Sequence, residues 1–194
     1  MMGYKAQILS DVRQYVCAEM AKNDAAHDAD HVRRVVDLAK QLCAMEAGAD
    51  PFRVELLAWL HDMNDDKLRS DVGADSLAEV LTRMGLVPED LAFVSRGIPY
   101  ISYRKYPQLD ASVPLEIRIV QDADRIDAMG AVGIARTFAY GGAKNRSLED
   151  SLLHFDEKLL HLYDLLSTES AQNLAKPRYE FLQAFYRQYK SETT

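Results

Sequence analysis

Apolar and polar positions alternate along this chain with the period of an α-helix from one end to the other. Ile8, Leu9, Val12, Val16 and Met20 recur at intervals of three and four, which predicts an amphipathic helix over about Lys5 to Lys22. Asn23-Asp24 punctuates it. A second helix is predicted from about Asp28 to Ala47, with Val32, Val35, Val36, Ala39, Leu42 and Cys43 inward and Gly48 as its C-cap. Asp50-Pro51 joins an N-cap to a proline at the first helical position, and the helix it opens carries Val54, Leu57, Ala58 and His61 on one face. Leu77, Val80, Leu81 and Met84 predict a helix that ends at Gly85, and Pro88 opens another through Leu91 and Val94. Regularity lapses from Gly97 to Pro114, where three prolines and three tyrosines fall, a length that predicts a lid or a binding loop. A long helix is expected from Pro114 through Asp127, Ala131, Ala135 and Phe138 to Gly141-Gly142. Leu152, Phe155, Leu159, Leu162 and Leu166 define the next, and after Pro177 a last helix carries Phe181, Ala184 and Phe185. No segment has the strict alternation of a half-buried strand, and no internal repeat occurs. The pattern predicts an all-α, single-domain helical bundle, with a core over about residues 23–140 and C-terminal helices over about residues 148–190 packed on it.

Composition narrows the partners. The apolar fraction of 48% and charged fraction of 27% are those of an ordinary soluble protein. A formal net charge of -7 argues against duplex nucleic acid or an anionic membrane as the partner, while a small anionic ligand stays open where a metal or a few basic groups reverse the sign of one pocket. Cys17 and Cys43 lack CxxC spacing and read as buried free thiols in a reducing compartment. With no signal-peptide-like start and no apolar run of membrane-spanning length, the expected location is cytoplasmic.

The candidate chemistry starts at His61-Asp62, at the inner end of the third predicted helix. A buried carboxylate is costly unless it is paired or bound to metal. The plainer alternative is a core histidine bonded to a backbone carbonyl, with Asp62 opening a polar turn. His31 shares the stripe of Val35, Leu38 and Leu42. On the helix after Pro114, steps of 100° place Val113, Ile117, Val120, Asp124, Ala128 and Ala131 in one arc. Asp124 is thus the preferred inward carboxylate. Asp122 falls on the opposite side near Arg118 and Arg125, where solvated ion pairs account for it, and is the runner-up; Asp127 lies at the edge of the arc. Two imidazoles and two carboxylates, from His31, His61, Asp62 and Asp124, suit a divalent cation such as Mn²⁺, Fe²⁺, Ni²⁺, Co²⁺ or Zn²⁺ with positions open for water.

The order His31, His61-Asp62, Asp124 resembles the H…HD…D signature of the HD-domain metal-dependent phosphohydrolases. The runs His27-Asp28-Ala29-Asp30-His31, Ala58-Trp59-Leu60-His61-Asp62, Asp122 to Phe138 and His154 to Leu160 are similar to the branch of small, single-domain bacterial HD proteins, and the likeness extends from about Asn23 to Phe185. The resemblance implies one divalent metal ion per chain, binding a phosphate oxygen and an attacking water. Mn²⁺ is the expected ion, with Mg²⁺, Fe²⁺, Ni²⁺, Co²⁺ and Zn²⁺ as alternatives. Two-metal relatives carry further histidines between the HD pair and the last Asp, and this chain has none between Asp62 and Asp124. Asp65 takes the position of a residue that orients the water in relatives, many of which have Glu there, and Asp66 is placed to share the role. Lys67 follows closely. Arg34, Arg104 and Lys105 are candidates for balancing phosphate charge, His27 for contacting substrate or supporting His31, and Tyr103, with Tyr100 and Tyr106, for stacking on a base. His154 and His161 read as half-exposed polar positions. The expected activity is cleavage of (deoxy)nucleoside triphosphates to monophosphate and pyrophosphate. Alternatives are a 5'-nucleotidase-type phosphomonoesterase and a non-catalytic nucleotide-sensing HD module, the latter disfavoured by the intact ligand set. Homo-oligomerisation is compatible with the sequence.

Overall fold

Caps and glycines set most helix boundaries. The computed structural model describes residues 2–21, 29–63 and 76–193, and these hold nine α-helices, two short 3₁₀ turns and no strand. They are α1 (Met2–Met20), α2 (Ala29–Met45), α3 (Pro51–Leu60), α4 (Leu77–Arg83), α5 (Pro88–Ile101), α6 (Leu115–Asp127), α7 (Gly130–Ala143), α8 (Leu148–Glu157), the 3₁₀ turns Leu159–His161 and Tyr163–Leu165, and α9 (Glu169–Thr193). The fold is all-α, as the periodicity predicts. Among the described residues no helix is long and apolar enough to cross a membrane.

Asp50 caps α3 through its carboxylate, which accepts the Phe52 amide at 2.9 Å. Ser76 and Glu79 form a reciprocal capping box at the start of α4. Elsewhere the boundaries differ from expectation. α5 runs through Pro99 to Ile101 instead of lapsing at Gly97. The proline forfeits the helical hydrogen bond to the carbonyl four residues before it, while the buried Gln121 amide on α6 donates at 2.6 Å to the Tyr100 carbonyl in the last turn. Likewise α9 starts at Glu169, well before Pro177, because Ala171 and Ala175 are fully buried ahead of the proline. Phe181, expected inward, is 52% exposed. Leu159, Leu162 and Leu166 are buried as expected, but on the 3₁₀ turns and just beyond them, past the end of α8.

The largest correction concerns the helix after Pro114, which is two helices. α6 stops at Asp127, and Gly130 takes φ +70, a value that favours glycine, before α7 departs in a new direction. A Cβ at Gly133 would fall 2.0 Å from the Ala128 carbonyl oxygen, so the start of α7 lies against the end of α6 with no room for a side chain.

α2 lies at the centre, against α3 on one side and α6 on the other, and α3 is also flanked by α1 and α5. Leu42, Leu56, Leu57, Leu60, Ile119 and Ile126 form a dry aliphatic core among these helices. α9 packs on α7 and α6, and there Phe138, Phe155, Phe185 and Tyr189 form an aromatic cluster. The candidate site opens where the aliphatic core meets this second layer.

Candidate metal centre

Three elements of the aliphatic core bring the acid and imidazole groups to one point. His31 is in the first turn of α2, His61 and Asp62 follow directly on α3, and Asp124 is in the last turn of α6. The His31 and His61 Nε2 atoms are 3.4 Å apart. Asp124 Oδ1 is 3.4 Å from His31 Nε2 and 3.9 Å from His61 Nε2. Asp62 carboxylate oxygens lie 3.8 Å from His31 Nε2 and 4.0 Å from His61 Nε2. Two donors that each sit about 2.1 Å from one ion can be at most about 4.2 Å apart, and these five separations all fall inside that limit. His31, His61 and Asp62 offer nitrogen and oxygen donors that all lie within 4.8 Å of one another and could hold a divalent cation of the borderline class, with Asp124 beside both imidazoles.

The far side of each imidazole is fixed. His61 Nδ1 is 2.7 Å from the Ala58 carbonyl oxygen, which can only accept. His31 Nδ1 is 2.8 Å from Asp127 Oδ2. Asp127, at the edge of the sequence arc, is fully buried and also accepts from Arg34 Nε at 2.7 Å and from Arg136 Nη1 at 2.9 Å. Burial alone would lower the His31 imidazole, but Asp124 and Asp127 outweigh it and push it up to about 9. Burial would raise Asp124 and Asp127; the imidazoles beside Asp124, and His31 with Arg34 beside Asp127, hold both below the usual carboxylate range.

A cavity of about 230 Å³ opens over the cluster, lined by His31, Asp62 and Asp124 together with Tyr103, Arg136 and Lys158. Its basic lining differs from the sequence expectation. Arg34 donates to Asp127 from Nε at 2.7 Å and Nη2 at 3.2 Å and does not line the cavity. Arg104 and Lys105 are exposed and do not line it either. The reason is that their loop is fastened to α6: Gln121 donates to the Tyr106 carbonyl at 3.0 Å and Arg125 to Pro107 at 2.7 Å. Tyr103 does reach the cavity, with the Lys158 ammonium 5.2 Å from its ring centre, while Tyr100 and Tyr106 contact each other at 4.5 Å. Asp122 is not solvated and not a ligand candidate by position. It is fully buried and accepts from the Ser167 and Thr168 amides and the Thr168 hydroxyl at 2.8–2.9 Å, because the chain leading into α9 covers that side of α6; burial pushes it up to about 6 despite those bonds. Nor does Arg125 pair with it in solvent: Arg125 is buried and spends its guanidinium on the Tyr106, Pro107 and Leu165 carbonyls. His154 is half-buried and His161 exposed, as expected. His27, Asp65, Asp66 and Lys67 lie outside the described residues.

Sequence reasoning missed Arg136 and Lys158. On one continuous helix, Asp127 and Arg136 are nine residues apart and so on opposite faces. The break at Ala128-Met129 is what lets them meet.

The HD domain family matches residues 28–129, a span that contains all four groups of the cluster. The chain belongs to this family and is a metal-dependent phosphohydrolase at that level of description. It is 39% identical to protein YpgQ of Bacillus subtilis over 190 residues, 93% of this chain and 91% of that one. Among solved structures it is similar to YpgQ in complex with ADP, with a TM-score of 0.79 at 33% identity and coverage of 97% and 96% of the two chains. It is also similar to an HD-superfamily hydrolase of Bacillus thuringiensis, with a TM-score of 0.75, 35% identity and 97% coverage of each.

Proposed function

We propose that this protein is a nucleotide pyrophosphohydrolase that cleaves (deoxy)nucleoside triphosphates to monophosphate and pyrophosphate. In this reading His31, His61, Asp62 and Asp124 are the ligands of one divalent cation, with Mn²⁺ the expected ion. The observation that carries the reading is the mixed lining of one cavity, which brings imidazole and carboxylate donors together with Arg136 and Lys158. A bound cation supplies Lewis acidity and brings the pKa of a water molecule toward neutrality. The chain's own groups do the rest. Lys158 and Arg136 balance the charge of the phosphates, and the Tyr103 ring holds the Lys158 ammonium over the cavity. The Ala58 carbonyl and the Asp127 carboxylate each accept a hydrogen bond from an imidazole Nδ1–H, so both Nε2 lone pairs are left for the cation. Asp65 keeps the water-orienting role that the family resemblance implies. That the similar YpgQ has been solved with ADP supports a nucleotide as the occupant.

The test is to supply metal-stripped protein with each divalent cation in turn and a panel of ribo- and deoxyribonucleotides, measuring phosphate and pyrophosphate separately. Pyrophosphate from triphosphates is expected. Phosphate from monophosphates alone would replace this reading with the phosphomonoesterase, and no turnover with metal bound would replace it with the nucleotide-sensing module.

A further inference from the structure

Asp127 is surrounded by more donors than an ordinary ion pair needs. Oδ1 accepts from Arg34 Nε at 2.7 Å; Oδ2 accepts from Arg34 Nη2 at 3.2 Å and Arg136 Nη1 at 2.9 Å and lies 2.8 Å from His31 Nδ1. Three of these four contacts crowd onto Oδ2, the oxygen nearer His31. Arg136 Nη1 is also 2.9 Å from His31 Nδ1 itself. A guanidinium can only donate and a carboxylate can only accept. The two groups therefore make opposite demands on the same ring nitrogen: Asp127 requires a proton on Nδ1, and Arg136 would require a lone pair there.

We infer that Asp127 is a positioning residue that wins this contest for His31 Nδ1, keeping the proton there and leaving Nε2 open to the cation. The inference rests on the ligand assignment proposed above. His61 needs no such residue, because the Ala58 carbonyl accepts from its Nδ1 with no donor opposing it. Arg34 and Arg136 hold Asp127 as a carboxylate, and Asp127 accepts the Arg136 N–H that would otherwise be free to donate to the imidazole. When the carboxylate is lost, the Arg136 N–H donates into Nδ1, the imidazole proton moves to Nε2, and the nitrogen that faces the cavity is blocked.

The test measures Zn²⁺ and Mn²⁺ affinity by competition with a chelator for wild type, Asp127→Asn, Arg136→Gln and the double variant, with far-ultraviolet circular dichroism as the folding control. Asp127→Asn is expected to weaken binding by roughly 10–100-fold, the usual cost of losing an outer-shell partner. The double variant is expected to recover about tenfold of that loss, because the competing donor is gone, although Arg136→Gln alone does not tighten binding. A merely structural Asp127 would make the double variant weaker than Asp127→Asn, and that result, or unchanged binding in Asp127→Asn, overturns the inference. Should Asp127→Asn fail to fold, the ¹⁵N spectrum of Zn²⁺-loaded wild type decides. A protonated Nδ1 and metal-bound Nε2 on His31 are expected; a metal-bound Nδ1 overturns the inference. Failure of wild type to bind either ion would instead refute the ligand assignment on which the inference stands.

Discussion

The two sets of groups that line the cavity are built differently. The imidazole and carboxylate set comes from α2, the end of α3 and α6, all inside the span that matches the HD domain, and its histidines are 5% and 7% exposed. The cationic set comes from Arg136 on α7 and Lys158 just after α8, beyond that span, and the Arg136 side chain is 36% exposed. The matched span ends at residue 129, and α7 begins at Gly130. One set is thus a buried cluster inside the matched span, and the other is less buried and lies beyond it. Chemistry resides where groups are fixed from behind, and selectivity where they retain some freedom to meet a ligand.

The comparison is broken most directly at His61. His61→Ala is expected to lower activity by more than about 100-fold and to remove bound metal, since in the proposed assignment it deletes a ligand rather than an outer partner; metal content by elemental analysis together with turnover checks this. Full metal and full activity would mean that the two sets do not divide the work as described. Proton competition gives the next largest effect. The metal-free His31 imidazole, raised to about 9 from its ordinary 6.5, stabilises the fold fully below pH 6.5 and loses that contribution as pH rises through about 9. Metal needs the neutral ring, so its affinity is expected to rise by up to about tenfold per pH unit over that window. The melting temperature of the stripped protein should fall across the window while the shift produced by metal grows.

Lys158→Met sharpens the other set. Its KM for a triphosphate is expected to rise by roughly tenfold, the size of one charge-assisted contact, with metal content unchanged. Loss of metal in this variant would show that the two sets are not separable. The smallest effect on chemistry is expected from Gly133→Ala, which puts a methyl group against the Ala128 carbonyl and should cost about 1–3 kcal/mol of stability. As α7 gives way, KM should suffer before metal binding does, and thermal unfolding with and without Mn²⁺ measures both.

Much of this was legible in the sequence where a local rule suffices. Asp50-Pro51 marked the start of α3, and the stripes of α2 and α6 turned His31 and Asp124 to the interior where His61 and Asp62 also arrive. What stayed hidden depends on what covers a face. A helical wheel gives the direction of a side chain, and it placed Asp122 away from the arc correctly, but the chain entering α9 and not water lies on that side. Pro99 read as part of a loop and Pro177 as the start of the last helix because their local cost is visible and the burial around them is not. Arg136 was hidden behind the unrecognised break after α6.

That helix has one stretch, Gln121 to Asp127, in which each residue is committed to a different neighbour. Gln121 and Arg125 hold the loop, Asp122 the start of α9, Asp124 the imidazoles, Asp127 His31 and two arginines, and Ala123 and Ile126 fill the core with no exposure. In terms of mutational tolerance this is a frozen block. A saturation scan would find seven consecutive positions that resist change for unrelated reasons, and an insertion or deletion within them would turn every side chain by about 100° away from its partner at once. New specificities are more accessible to this scaffold through α7 and the turns after α8 than through the helix that carries its carboxylates.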